Sequence, residues 1–242
     1  MFSRHIGWTL LTAAMLTGMA TSAIAQGPEM KDKIAALKQS ADENKQKLRH
    51  YQWTETQQIT LKGEAKPERV SQCSYGPNGQ VQKIPMGAQQ QPAEQGRGGR
   101  RGGGALRQHV VEKKTEEMKD YMQQVQSLLS LYVPPNSSLI QEAVAKKNVS
   151  FNMTPGGGPM QIIFRDYAKA GDKMSIGYDA AAKKIRSISV DTYMDEPKDV
   201  VTLAVNMASL SDGTNYAAES TLNATAKKLQ VVTRNSNYVK LQ

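Results

Sequence analysis

The chain holds one cysteine, three phenylalanines and three histidines in 242 residues. A lone Cys73 excludes an intramolecular disulfide, so the fold must rest on burial of apolar surface. Nucleophilic use of Cys73 would need a histidine partner, and only His50 and His109 lie beyond the N-terminal segment. A small, partly buried strand residue is the expectation. No Cys/His spacing suits a metal, and no glycine-rich loop follows a strand to cradle phosphate. Neither metal nor cofactor is therefore expected. Asp191, Asp195, Glu196 and Asp199 offer oxygen ligands for calcium, but Lys198 among them and the Asp-Glu-Pro sequence read as a solvated turn. Nothing singles out a carboxylate pair for hydrolysis, and the chain is read as no enzyme.

Long apolar runs are also missing beyond the N-terminus, which excludes a later helical membrane span. The N-terminus itself reads MFSRHIGWTLLTAAMLTGMATSAIAQ. Arg4 and His5 form a basic start, Ile6 to Met19 is apolar, and Ala23 and Ala25 supply a small-residue cleavage site, so residues 1–25 read as a secretory signal peptide. No cysteine follows to carry a lipid anchor. An exported, soluble, periplasmic protein beginning at Gln26 is expected.

Basic residues exceed acidic ones, 31 against 22, for a formal net charge of +9. Much of the excess is scattered in Lys113-Lys114, Lys146-Lys147, Lys183-Lys184 and Lys227-Lys228. Such spread suits general attraction to an acidic surface, or plain solubility, better than one carved anion site. The segment from Gly87 to Gln108 adds Arg97, Arg100, Arg101 and Arg107 among glycines and glutamines. Arg-Gly-Gly runs suit RNA, but export removes that partner, so nucleic acid is not expected and anionic lipid headgroups are. Too apolar-poor to offset its ordering entropy, the stretch at about 87–108 reads as a flexible loop within a single domain, 26–242.

Ile34, Leu37, Ala41 and Leu48 follow helical spacing with a thin apolar stripe. In YQWTETQQITL, Tyr51, Trp53, Ile59 and Leu61 alternate with Thr54, Thr56 and Thr60 as in a half-buried strand. A hairpin follows around Gly76-Pro77-Asn78-Gly79. Val111, Met118, Met122, Val125, Leu129 and Tyr132 predict a second helix, stopped by Pro134 and Pro135. Asn136 or Ser137 caps a short third one carrying Leu139, Ile140 and Val144. From Val149 onward strand follows strand across tight turns, which join antiparallel neighbours. The fold class is α+β: one antiparallel sheet of roughly eight to eleven strands, covered on one side by about three helices.

This order of helix, strands, helix pair and long meander behind a signal peptide resembles the LolA-like periplasmic lipoprotein carriers. The resemblance implies a curved, unclosed half-barrel whose apolar concave face is lidded by the helices over acyl chains. It also implies an arginine that ties lid to sheet, for which Arg69 and Arg186 are strand candidates. The residues expected to face a ligand are Trp53, Ile59, Met174, Ile176, Ile188, Val190, Leu203, Val205 and Met207. Met153, Met160 and Met194 join Met174 and Met207 in the strand-rich half, where thioethers adapt to varied alkyl groups; taken singly, each reads more readily as a core residue under the helices.

Two functions fit these residues. One is a monomeric carrier or sensor of acyl chains or lipidated peptides; the other is an envelope interaction protein with a filled core and a basic docking loop. Both depend on export. N-terminal sequencing of the protein recovered from the periplasm is expected to start at Gln26, and an intact Met1 would remove the compartment on which both readings stand.

Overall fold

The structure is a computed structural model that describes residues 28–87, 104–153 and 158–241. The expected signal peptide, with Arg97, Arg100 and Arg101, lies outside the described residues. Helix α1 runs Pro28–Leu48. Proline at its first position needs no backbone partner there, and Lys45 and Lys47 in the last turn meet the negative end of the helix dipole. Strand β1 spans Tyr51–Leu61, a two-residue β2 Glu64–Ala65 folds back on its end, and β3 Arg69–Tyr75 and β4 Val81–Met86 form the expected hairpin.

Helix α2 covers Gly104–Leu129. It therefore begins inside the stretch expected to be loop, and Gly104 to Gln108 are helical. The reason is local: Ala105, Leu106, Arg107 and Gln108 are strong helix formers that extend the periodic segment backwards. Helix α3, Ser137–Ala145, starts at Asn136, whose side chain accepts from the amides of Ser138 and Leu139. The strands β5 Val149–Asn152, β6 Met160–Arg165, β7 Lys173–Asp179, β8 Lys184–Tyr193, β9 Val200–Ser209, β10 Asn215–Ala224 and β11 Leu229–Lys240 then follow in order.

All eleven strands join one curved sheet ordered β4-β3-β1-β11-β10-β9-β8-β7-β6-β5, with β2 beside β1. Among the described residues every pairing is antiparallel and β4 and β5 stand at the two ends of the order, so the sheet does not close. No helix among the described residues is long and apolar enough to cross a membrane.

The helices pack on one face of this sheet. Leu37 of α1, Val125 and Leu128 of α2 and Ile140 and Ala143 of α3 share a buried cluster with Ile162, Phe164, Met174, Ile176, Ile188 and Val190. Polar tethers fix the helices in place. Asn44 donates through Nδ2 to Asn215 O at 2.7 Å and accepts from Asn215 N at 2.6 Å, and Ser40 donates to Lys183 O. Tyr121 donates to Asp199 at 3.2 Å.

The deepest tether is Tyr132, just past α2, whose side chain has no exposure. Its hydroxyl donates to Asp172 Oδ2 at 2.5 Å and lies 2.8 Å from Thr192 Oγ1. Asp172 also accepts from the amides of Tyr167, Ala168 and Lys169. One carboxylate thus ties the β6–β7 turn to the end of α2. Burial first, then the bond to Asp172, pushes the Tyr132 phenol well above its ordinary range. Tyr132→Phe removes this donor from a buried carboxylate and is expected to cost about 1–3 kcal/mol, read as a lower urea midpoint with an unchanged slope. A midpoint equal to the parent's would show that the tether contributes nothing net.

Candidate functional site

Alternation along the strands places one set of side chains toward the helices, and its filling differs from one side of the sheet to the other. Met174, Ile176 and Val190 have no exposure, and Ile188 and Val205 have 5 %. These five expected ligand-facing residues lie in the packed layer beneath the helices. Leu203, Met207 and Ile59 are only half-buried and sit at the margin of that layer with Leu61 and Leu222. Of the methionines, Met160 and Met194 are core residues, whereas Met153 is 77 % exposed at the end of β5 and lines nothing.

Trp53 belongs elsewhere. It joins Tyr51, Tyr75, Tyr216 and Tyr238 in an aromatic group at the far end of β1, separate from the main core. The register of β1 on β11 slips between Gln52 and Thr54, where Asn237 adopts a φ of 53°. Beyond that bulge Tyr238 stacks on Trp53 at 5.6 Å and 11°, and Tyr216 approaches Tyr238 at 4.4 Å. Burial, then the neighbouring tyrosines, raises the Tyr238 phenol. Cys73 is fully buried opposite Trp53 on β3, and burial first, then Glu55, raises its thiol.

Polar groups interrupt this aromatic wall. Glu55, next along the same face, pairs with Lys83 at 2.6 Å while its side chain stays only 12 % exposed. Its direct cross-strand neighbour is Asn235. The Asn235 amide donates to Ala217 O at 2.9 Å, leaving Oδ1 shielded from solvent without a partner. Trp53 Nε1 is likewise shielded and unpartnered.

Neither candidate arginine ties lid to sheet. Arg186 bonds Asp179 at 2.8 Å within the β7–β8 hairpin, and Arg69 is exposed at the start of β3. The tying is done by Tyr132, Tyr121, Ser40 and Asn44, which residue type alone does not mark as tethers. In the acidic turn, Glu196 pairs with Lys198 and Asp199 accepts from Tyr121. Among the described residues no three carboxylate, cysteine or histidine groups converge for a metal. An open hollow of about 460 Å³ on α2 is lined by Asp120, Gln123, Gln124 and Ser127, too polar for an acyl chain.

No family model matches the chain, and no curated protein matches it. Two solved structures are similar. One is a DUF1329 family protein from Desulfovibrio piger, at 11% identity and a TM-score of 0.42, covering 87% of this chain and 92% of its own. The other is a domain named for outer membrane lipoprotein sorting, from Vibrio parahaemolyticus, at 11% identity and a TM-score of 0.36, covering 86% and 93%.

Beside the aromatic group, Tyr51 donates to Asp212 at 2.6 Å. That bond first, and the amide of Thr214 second, hold the Asp212 carboxyl down to about 2. A depressed carboxyl stabilises the fold above its unfolded value of about 3.9 and loses that contribution as pH falls toward its folded value. Asp212→Asn is therefore expected to lower the melting temperature at neutral pH, with the gap to the parent closing as pH falls from about 4 to 2. A gap that stays constant with pH would mean that the charge on Asp212 contributes nothing.

Proposed function

We propose that this chain is an exported, monomeric, non-catalytic carrier or sensor that holds an acyl chain or a lipidated peptide between its sheet and helix α1. Uneven filling of the helix-facing surface carries this reading. Across β6, β7 and β8 the face is solid, but at β1, β9 and β10 the apolar side chains Ile59, Leu61, Leu203, Met207 and Leu222 are only partly covered. Among the described residues of α1, Leu37 alone is fully buried, Ile34 packs beside it half-buried, and side-chain bonds from Ser40 and Asn44 add to its hold. Segments with few buried apolar contacts open at low free-energy cost. Lifting α1, which rests on β8 and β10, would widen access to the half-buried side chains of that face while the solid part keeps the sheet intact.

The cargo would lie along those side chains as hydrocarbon on hydrocarbon, which needs area rather than reactive groups. The arginines at 97, 100, 101 and 107 would then serve docking on an anionic membrane surface, each contributing on the order of 1 kcal/mol. A second reading draws on the solid half. The absence of exposure at Met174, Ile176 and Val190 favours an envelope interaction protein whose core is closed to guests.

Trp53 separates the two. The sequence has two tryptophans, and Trp8 falls in the expected signal peptide, so the processed protein reports through Trp53 alone. Titration with a long-chain fatty acid is expected to shift its emission saturably, and lipid should accompany the protein in native mass spectra. If no apolar probe binds to well-folded protein, the carrier reading falls and the closed-core reading stands.

A further inference from the structure

Strand register carries a row of polar side chains across the open side of the helix-facing surface. Val205, 5 % exposed, lies opposite Ser220 of β10, and Ser220 lies opposite Thr233 of β11. Thr233 is in turn opposite Gln57 of β1, and Gln57 is opposite Arg69 of β3. Directly opposed residues share a face of the sheet, so the row starts in the packed core, passes the half-buried Ser220, Thr233 and Gln57, and ends at an exposed arginine. Two residues along each strand, the next row on the same face is apolar: Ile59, Val231, Leu222 and Leu203. Polar side chains thus border the half-covered apolar ones, about 7 Å away along each strand.

The fold makes no use of these polar groups. Among the described residues, the side chains of Gln57, Thr233 and Ser220 form no hydrogen bond within the protein, and Arg69 forms no ion pair. Carboxylates on the adjoining strands are engaged elsewhere: Glu55 pairs with Lys83 at 2.6 Å and Glu64 with Lys66 at 3.0 Å. Glu68, beside Arg69 in sequence, forms no ion pair with it. The principal helix contacts fall on β6, β8 and β10, and exposure rises along the row from Val205 to Arg69. Its outer end therefore opens to solvent, where a polar group can settle without a closed cavity.

A guanidinium presents a planar fork that matches the oxygens of a carboxylate or a phosphate. Gln57 adds an amide N–H donor directly across from it, and Thr233 adds a hydroxyl on the far side of Gln57. Cross-strand neighbours carry Cβ atoms about 5 Å apart, so an oxyanion resting over Gln57 is reached by the long Arg69 side chain from one flank and by Thr233 from the other. Ile59, two residues along β1 from Gln57, begins the apolar row. We propose that Arg69, Gln57 and Thr233 form an oxyanion-binding subsite for the head of a single-chain amphiphile whose hydrocarbon lies along Ile59, Leu222 and Leu203. This assignment rests on the carrier reading above and names the head group of its cargo, the carboxylate of a fatty acid or the phosphate of a monoalkyl ester.

The test is calorimetric titration of the processed full-length protein with three probes of one chain length: dodecanoate, dodecyl phosphate and the uncharged methyl dodecanoate. At least one oxyanion is expected to bind about tenfold tighter than the ester, the worth of one charge-assisted hydrogen bond, and the tighter of the two names the head as carboxylate or phosphate. Arg69→Gln should bring that oxyanion to the affinity of the ester and leave the ester unchanged. Lys119→Gln removes the same charge from the exposed surface of α2 and should keep the preference. Equal affinities of all three probes in the parent overturn the subsite alone. A preference that survives Arg69→Gln, or that Lys119→Gln abolishes equally, overturns it as well, the second pointing to general charge attraction. Failure of every probe to bind overturns the subsite together with the carrier reading. Should Arg69→Gln not fold, Gln57→Leu takes its place: a reduced preference supports the subsite and an unchanged one overturns it.

Discussion

Pairing of β1 with β11 holds this molecule together as one sheet. Ten residues of β1, from Tyr51 to Leu61, find partners in β11 from Lys240 back to Leu229. Without that ladder the β1–β3–β4 unit and the meander from β5 to β11 would be separate sheets with free edges. Closing it requires the two ends of the described chain to meet, a long loop whose entropy cost local contacts cannot offset. It also brings Trp53 and Tyr51, from one end of the chain, against Tyr238 from the other.

Because the described strands do not close from β4 round to β5, the curved face must be covered by something other than the sheet itself. Over β6, β7 and β8 the helices do this together, packing apolar side chains to near-zero exposure. Helix α1 does less. Its thin stripe reaches the sheet through Leu37 and Ile34, and side-chain bonds from Ser40 and Asn44 supply the rest. A contact made of few apolar groups and a handful of directional bonds holds a position without filling the space below it. The side chains of Ile59, Leu203 and Met207 on the same face are only half-covered, and the proposed cargo occupies that strip.

Much of this was legible beforehand. Threonines alternating with Tyr51, Trp53, Ile59 and Leu61 mark β1 to its last residue, and Asn136 marks the start of α3 through a cap that is itself local chemistry. Other features were not. Helix α2 starts at Gly104 because Ala105 to Gln108 favour helix, although their glycine-rich surroundings read as loop. Strand β2 exists only as a two-residue partner for the end of β1. Trp53 shares parity with Ile59, and only the slip opposite Asn237 and the curvature of the sheet carry it into a different cluster.

Composition, alternation and turn residues by themselves determined most of the elements, their antiparallel order, the α+β class and the reliance on apolar burial with a single cysteine. These depend on interactions within a few residues, so they can be read along the chain. What only the tertiary structure decided is which apolar residues are packed solid and which are half-open, that Tyr132 and not an arginine ties helix to sheet, and that Trp53 joins an aromatic group apart from the main core. Each of these depends on residues far apart in sequence meeting at a particular register. Side-chain type alone does not specify that register, because a tyrosine that anchors a helix and one that lines a wall are the same residue until its neighbours are in place.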